Sequence, residues 1–114
     1  MTAGYVDLFM DTGIDFSHTI NLSDDVTNTP INISGYGIYC TIKRSYYSQN
    51  TYANVTCTII NAANGEFSIS MNRGVTANIE PGCYVFDVVT LNDSVAEKII
   101  EGVIHVAPTV TIVG

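Results

Sequence analysis

The stretch Ile38-Tyr39-Cys40-Thr41-Ile42-Lys43 places Ile, Cys and Ile at every second position, directly after two closely spaced glycines. A period of two is that of a β-strand with one face against a core. Similar segments rich in Val, Ile, Thr and Tyr recur along the chain at the roughly 8–12-residue spacing that is typical of sandwiches. The pattern therefore predicts an all-β protein, an immunoglobulin-like antiparallel β-sandwich of roughly seven to eight strands.

The predicted strands occupy most of the chain. They cover residues 5–10, 16–22, 38–43, 55–60, 66–71, 84–91 and 97–106, with a further short strand at 31–33. Asn64-Gly65 predicts a tight hairpin turn, because both residue types tolerate positive φ. Residues 72–80 have room for one helical turn. No stretch keeps the 3.6-residue period that a longer helix needs.

Length and charge restrict the function classes. The 114 residues predict a single domain over 1–114, with residues 107–114 as an extended tail after Ala107-Pro108. Four basic against eleven acidic residues give a net charge of −7, which disfavours nucleic acid and anionic membranes as partners. The opening residues lack the basic region of a signal peptide, so we expect the chain to stay in a cytoplasm after synthesis or to be assembled there into something larger.

The cysteines and aspartates give no clear metal motif. Cys40, Cys57 and Cys83 are an odd number without the spacing of a zinc site, so reduced thiols are predicted. Calcium could take oxygen ligands from Asp11, Asp15, Asp24 and Asp25. An EF-hand loop is absent, however, and turns favour Asp for backbone reasons alone. The prediction is no metal and no cofactor.

Catalytic chemistry is not indicated either. His18 and His105 both lie within strand patterns, and neither stands in the sequence context of a reactive cysteine or a nucleophile elbow. We predict no catalytic residues and no enzyme activity. The alternative, a small enzyme, would require His18 or His105 to approach a carboxylate within hydrogen-bond distance.

One loop is a candidate interface because it concentrates tyrosine and positive charge. Tyr46, Tyr47 and Tyr52 lie in a polar segment beside Lys43 and Arg44, which are half of the basic residues of the protein. Tyr and Arg are enriched in binding hot spots. Two interpretations remain open: the rings contact a partner, or they cover the end of the sandwich within the same molecule.

The tail is the second candidate interface. Thr109-Val110-Thr111-Ile112-Val113 is apolar and strand-prone, and it follows a proline that separates it from the last strand. Thr109, Val110 and Ile112 are the residues predicted to make its contacts. An exposed strand of this type pairs with its own sheet or adds to the sheet of a partner.

Pro81-Gly82 and Tyr84 have a structural interpretation of their own. Pro81-Gly82 is suited to a sharp turn between the two sheets. Tyr84 can then bury its ring while its hydroxyl binds a nearby backbone group, as in the tyrosine corner of β-sandwiches. Antibody-type domains are disfavoured, because the chain has no tryptophan and no suitable cysteine pair.

Four segments carry a resemblance to a known family over nearly the whole chain. They are the opening segment 5–16, Ile33-Ser34-Gly35-Tyr36 with the strand that ends at Ser45-Tyr46, the segment 79–88 around Pro81-Gly82, and the segment 100–108 that ends in Ala107-Pro108. Together they resemble the immunoglobulin-like domain at the N-terminus of baseplate upper proteins of tailed bacteriophages, and similar stand-alone proteins of marine myophages. Cys83 departs from the family, which more often has a polar or basic residue there.

The resemblance implies a non-enzymatic structural role in a tailed-phage virion. The chain would be a docking or decoration protein of the baseplate, neck or capsid, located in a virion that assembles in the host bacterial cytoplasm. Its partners would be other virion proteins, with a homo-oligomer as a further option. The alternative function is a carbohydrate- or host-surface-binding module that uses the loop Tyr46–Tyr52.

Overall fold

The computed structural model describes residues 4–24, 26–45, 47 and 53–111. These residues form seven strands, one short 3₁₀ helix and one turn of α-helix. In chain order they are β1 (Gly4–Asp11), β2 (Phe16–Asn21), β3 (Gly37–Lys43), β4 (Ala53–Asn61), the 3₁₀ helix (Ala62–Asn64), β5 (Glu66–Met71), α1 (Arg73–Thr76), β6 (Gly82–Asn92) and β7 (Val95–Ala107).

The strands form an immunoglobulin-like sandwich, which confirms the predicted fold class. Their hydrogen-bonded order is β1-β7-β6-β3-β4-β5-β2. Strand β4 joins the two layers, because Ala53 to Val55 pair with β3 whereas Thr56 to Asn61 pair with β5. The prediction of a purely antiparallel sheet is wrong at one edge, where β1 pairs with β7 in parallel.

One core cluster lies between the layers and receives side chains from every strand. Alternate residues of β5 and β6 supply its centre: Phe67 and Ile69 from β5, and Tyr84, Phe86 and Val88 from β6 are all at most 2% exposed. In β3, Cys40 and Ile42 are buried while Tyr39 faces outward. The two-residue period therefore predicts correctly which face of these strands turns inward.

Two local predictions differ from the structure. Residues 31–33 form no strand; instead Ile33 is fully buried and its N–H donates to the Ala62 carbonyl oxygen over 2.9 Å. Asn64 belongs to the 3₁₀ helix, and in the hairpin between β4 and β5 only Gly65 has a positive φ, of 67°. The loop is longer than a two-residue turn, because the 3₁₀ helix precedes Gly65.

The predicted helical turn exists as α1, and it connects the layers at one end of the sandwich. Asn72 caps it, since its Oδ1 accepts from the N–H of Val75 over 3.0 Å. Thr76 is fully buried and its Oγ1 donates to the Ile14 carbonyl oxygen over 2.9 Å. Within the described ranges no helix is long and apolar enough to cross a membrane.

Candidate docking surfaces

The outer face of the layer β1-β7-β6-β3 exposes an unusual amount of apolar surface. Tyr5, Phe9 and Tyr39 are 63%, 73% and 58% exposed on this face. Between them lie half-buried valines, with Val85 opposite Val103 and Val89 opposite Tyr39. We define the outer face by its apolar members: Tyr5, Phe9, Tyr39, Val85, Val89, Leu91 and Val103.

The sequence alone does not identify this face as a docking surface. Its residues come from strands far apart in the chain, and each apolar side chain is unremarkable alone. The sequence signal that could have identified this face is the residue type at the outward-facing positions of the strands. On β6, the outward positions Val85, Val89 and Leu91 are apolar as well. A sheet face that is covered by solvent alone normally carries polar residues at such positions.

One row across the outer face brings a thiol and an imidazole together. Cys83 and His105 are direct cross-strand partners on β6 and β7, and Phe9 is the partner of His105 on β1. The Cys83 Sγ lies 3.5 Å from His105 Nδ1. The ring of His105 stacks on that of Phe9 with centroids 5.0 Å apart and planes 17° apart. The sequence does not indicate this contact, because Cys83 and His105 are 22 residues apart.

The tyrosine loop is only partly described. Tyr47 is 95% exposed, and Lys43 is half-buried at the end of β3 opposite Val85. Tyr46 and Tyr52 lie outside the described residues, so the predicted grouping of three rings is not tested. The described part of the loop therefore presents one exposed tyrosine ring, that of Tyr47.

Arg44, the other basic residue of this loop, takes part in the packing of the domain itself. Its Nη2 lies 3.1 Å from Glu80 Oε2 in an exposed ion pair. Its guanidinium carbon lies 4.8 Å from the centre of the Tyr84 ring. A cation above an aromatic face is attracted to the ring electrons. Arg44 thus covers the outside of the segment that starts β6.

Tyr84 has the geometry that the Pro81-Gly82-Cys83-Tyr84 sequence predicts for a tyrosine corner. Its side chain is 1% exposed. Its hydroxyl donates to the Glu80 carbonyl oxygen over 2.5 Å, which ties the start of β6 to the chain just before Pro81. The turn therefore has a structural role, and it positions Cys83 next to β7.

The tail leaves the sandwich beside the turn after β1. The N–H of Thr12 donates to the Ala107 carbonyl oxygen over 3.0 Å, and the N–H of Thr109 donates to Thr12 Oγ1 over 3.2 Å. Val110 is 99% exposed and lies outside any strand. Ile112 lies beyond the described residues. The described part of the tail is thus anchored at Thr109 and exposed from Val110 on.

A groove of about 400 Å³ opens between β1 and β2, the strands at the two ends of the sheet order. Its walls are mainly apolar and include Val6, Leu8 and Ile20, with half-buried His18 beside them. Each of the two strands has one edge that pairs with no described strand. Unpaired edges of this type can accept an added strand.

Two of the four aspartates considered as calcium ligands accept hydrogen bonds from backbone groups. Asp15 Oδ1 accepts from the N–H of Arg73 over 2.7 Å at the start of α1. Asp24 Oδ1 accepts from the N–H groups of Val26 and Thr27, and these bonds hold the pKa of its carboxyl below the usual value. Asp25 lies outside the described residues. Among those described, no group of three or more His, Cys, Asp or Glu side chains could hold a metal ion.

The three thiols have very different environments. Cys40 is buried, and burial raises its pKa to about 12. Cys57 is half-buried, and burial raises its pKa as well. Cys83 is exposed on the outer face. Of the three thiols, only Cys83 is both exposed to solvent and in hydrogen-bond contact with an imidazole, that of His105.

No protein-family model and no curated protein matches the sequence.

Proposed function

We propose that this protein is a non-enzymatic structural component of a tailed-phage virion, which docks on other virion proteins through the outer face. The resemblance of the four sequence segments suggests the type of particle. The baseplate, the neck and the capsid surface are all compatible locations. Assembly would take place in the host bacterial cytoplasm.

The observation that carries the docking role is the apolar outer face. Tyr5, Phe9 and Tyr39 expose more than half of their surface at the same side of one layer. Large apolar patches on a folded domain mark interaction sites, because covering them releases hydration water at a gain of about 25 cal/mol per Å². Aromatic side chains are also enriched at the centre of protein interfaces.

The charge of the protein affects both its solubility and its choice of partner. A net charge of −7 keeps such a chain soluble despite its exposed rings. Asp7, Asp87 and Glu101 also lie on the outer side of the same strands. A partner with basic residues around an apolar centre would therefore fit this face best.

The experiment tests incorporation into particles of the phage that encodes the chain. Particles are purified after complementation with the wild-type protein, with Tyr39→Ser, or with Val26→Ser as the matched control. Val26 is 93% exposed in the connection between β2 and β3 and is not part of the outer face. Wild-type and Val26→Ser proteins should appear in particles in a fixed copy number, and Tyr39→Ser should be reduced at least fivefold.

A chain that is abundant in the infected cell but missing from purified particles would contradict the proposal. Equal incorporation of both variants would keep the virion role and remove the outer face from it. Circular dichroism of the purified variants verifies that Tyr39→Ser is folded, as expected for a residue that is more than half exposed.

The second candidate function is binding of a carbohydrate or host surface through the loop that contains Tyr47. Its supporting observation is the 95% exposure of that ring, since exposed aromatic rings stack on sugar faces. Binding of the labelled protein to a glycan array tests it. A glycan that binds the wild type and is lost in Tyr47→Ala would favour this function, and an array without signal would reject it.

A further inference from the structure

We propose that Cys83 and His105 form one half of a zinc site, which a second copy of the chain completes. The two side chains are cross-strand partners on β6 and β7. Both project from the outer face, where Cys83 is exposed and His105 half-buried. This inference rests on their geometry, and it uses the same outer face as the proposed virion contact, so a zinc-bound dimer and a docked chain would be alternative states of that face.

The distance between the two ligand atoms fits a shared zinc ion. A tetrahedral zinc ion binds sulfur at about 2.3 Å and imidazole nitrogen at about 2.0 Å, which sets the two ligand atoms about 3.5 Å apart. The Cys83 Sγ and His105 Nδ1 are 3.5 Å apart. An ion could therefore enter between them with little movement of either strand.

The imidazole of His105 is stacked on a neighbouring aromatic ring. Its ring lies against that of Phe9, with planes only 17° apart. Both ligands project from paired β-strands, which hold their backbone positions more rigidly than loops do. Little entropy is then lost when the ion binds, because the two donors are placed before it arrives.

The remaining ligands have to come from outside the described chain. Structural zinc is almost always bound by four protein ligands. The described residues contain no group of three or more His, Cys, Asp or Glu side chains that could hold an ion. A two-fold axis through the ion would turn one Cys–His pair into a set of two Cys and two His ligands.

The surroundings favour a second copy over water as the source of those ligands. Phe9 is 73% exposed beside the pair. In a two-fold symmetric dimer, the Phe9 ring of each copy would be buried at the interface. Asp11 lines the same surface cavity as Cys83 and His105, so the divalent cation would also offset negative charge between two chains of −7 each. The bound thiols would be thiolates, since zinc displaces the proton of a coordinating thiol.

The test is a titration of the reduced full chain with Co²⁺ as a spectroscopic probe and with Zn²⁺, followed by light scattering. We expect about one ion per two chains, a thiolate-to-cobalt charge-transfer absorption and a doubling of the solution mass. Cys83→Ser and His105→Asn should each weaken metal-dependent dimerisation at least tenfold. Cys57→Ser, which changes a thiol on β4, is the matched control and should behave as the wild type.

The outcomes separate clearly. One ion per chain without a change in mass would overturn the shared site, and the absence of a thiolate absorption would overturn coordination by Cys83. Metal-dependent dimerisation that persists in both Cys83→Ser and His105→Asn would also overturn the shared site. Because His105→Asn retains every cysteine, it remains informative even if Cys83→Ser folds poorly.

Discussion

Tyr84 stabilises the domain in two separable ways, through its buried ring and through its hydroxyl. The ring is 1% exposed beneath the Arg44 guanidinium, and the hydroxyl donates to the Glu80 carbonyl oxygen. Tyr84→Phe keeps the ring and should lower the free energy of unfolding by about 1 kcal/mol. Tyr84→Ala leaves a cavity and should lower it by about 3 kcal/mol or more. Urea unfolding measures both, and an unchanged stability of Tyr84→Ala would show that the ring does not pack in the core.

The buried Cys40 thiol predicts a loss of stability at alkaline pH. Its pKa in the folded protein is raised from 9.0 to about 12 by burial. Between these values the unfolded chain has lost the Cys40 proton while the folded chain retains it. The unfolded state then binds fewer protons, so stability falls as pH rises, by at most about 1.4 kcal/mol per pH unit.

Comparison with Cys40→Val isolates this contribution. The stability difference between wild type and variant should shift against the wild type from pH 8 to pH 10.5, measured by urea unfolding with a reductant present. All other side chains are the same in both proteins, so their contributions cancel in the difference, apart from the Coulombic interaction between Cys40 and Cys57. A difference that stays constant over this range would show that Cys40 ionises equally in the folded and unfolded states.

Pairing of β1 with β7 depends on the absence of a side chain at Gly102. A Cβ at this position would lie 1.7 Å from the Val6 carbonyl oxygen, so the strands would have to separate. Gly102→Ala should destabilise the domain by about 1–3 kcal/mol. It should also accelerate amide hydrogen exchange selectively in β1.

Gly4→Ala is the matched control for this strand pair. Gly4 lies on β1 opposite Ile100, but the nearest atom to an added Cβ is the Ile99 carbonyl oxygen at 3.9 Å. This variant should retain the exchange rates of the wild type. If Gly102→Ala were equally well tolerated, β1 could not lie in the register observed.

At the level of elements, the sequence predicts strands far better than it predicts their neighbours. Alternation identifies the inward face of β3, β5 and β6, because burial of one face imposes a period of two. It contains no information on which strand lies alongside. The parallel pairing of β1 and the division of β4 between two layers follow from contacts distant in the chain, and neither was predicted.

The same limit explains what was missed in the candidate sites. Cys83 and His105 are 22 residues apart in sequence, and only the register of β6 and β7 makes them neighbours. Pro81-Gly82-Cys83-Tyr84, in contrast, is a local signal, and the Tyr84 hydroxyl bonds four residues back. Local backbone chemistry can be inferred from sequence, whereas an outer face assembled from four strands requires the structure.

For the whole molecule, the tail separates folding from assembly. Thr109 is held by Thr12, whereas Val110 is 99% exposed and makes little contribution to the core. Deletion of residues 110–114 should therefore change the free energy of unfolding by no more than about 0.5 kcal/mol. If the tail adds to the sheet of a partner, which is one of the two pairings that its strand-prone sequence allows, the same deletion should weaken association of the protein at least tenfold.

Light scattering over a concentration series, with a chelator to suppress metal-dependent contacts, measures the association. Thr12→Val is the informative control, because it removes the hydrogen bond that anchors Thr109 but keeps the apolar side chains of the tail. If the tail pairs with a partner chain, the Thr12→Val protein should associate as strongly as the wild type, or more strongly, because its tail is released. Equal association of the wild type and the deletion variant would exclude the tail from assembly. A large decrease in the free energy of unfolding on deletion would instead mean that the tail pairs within its own sheet.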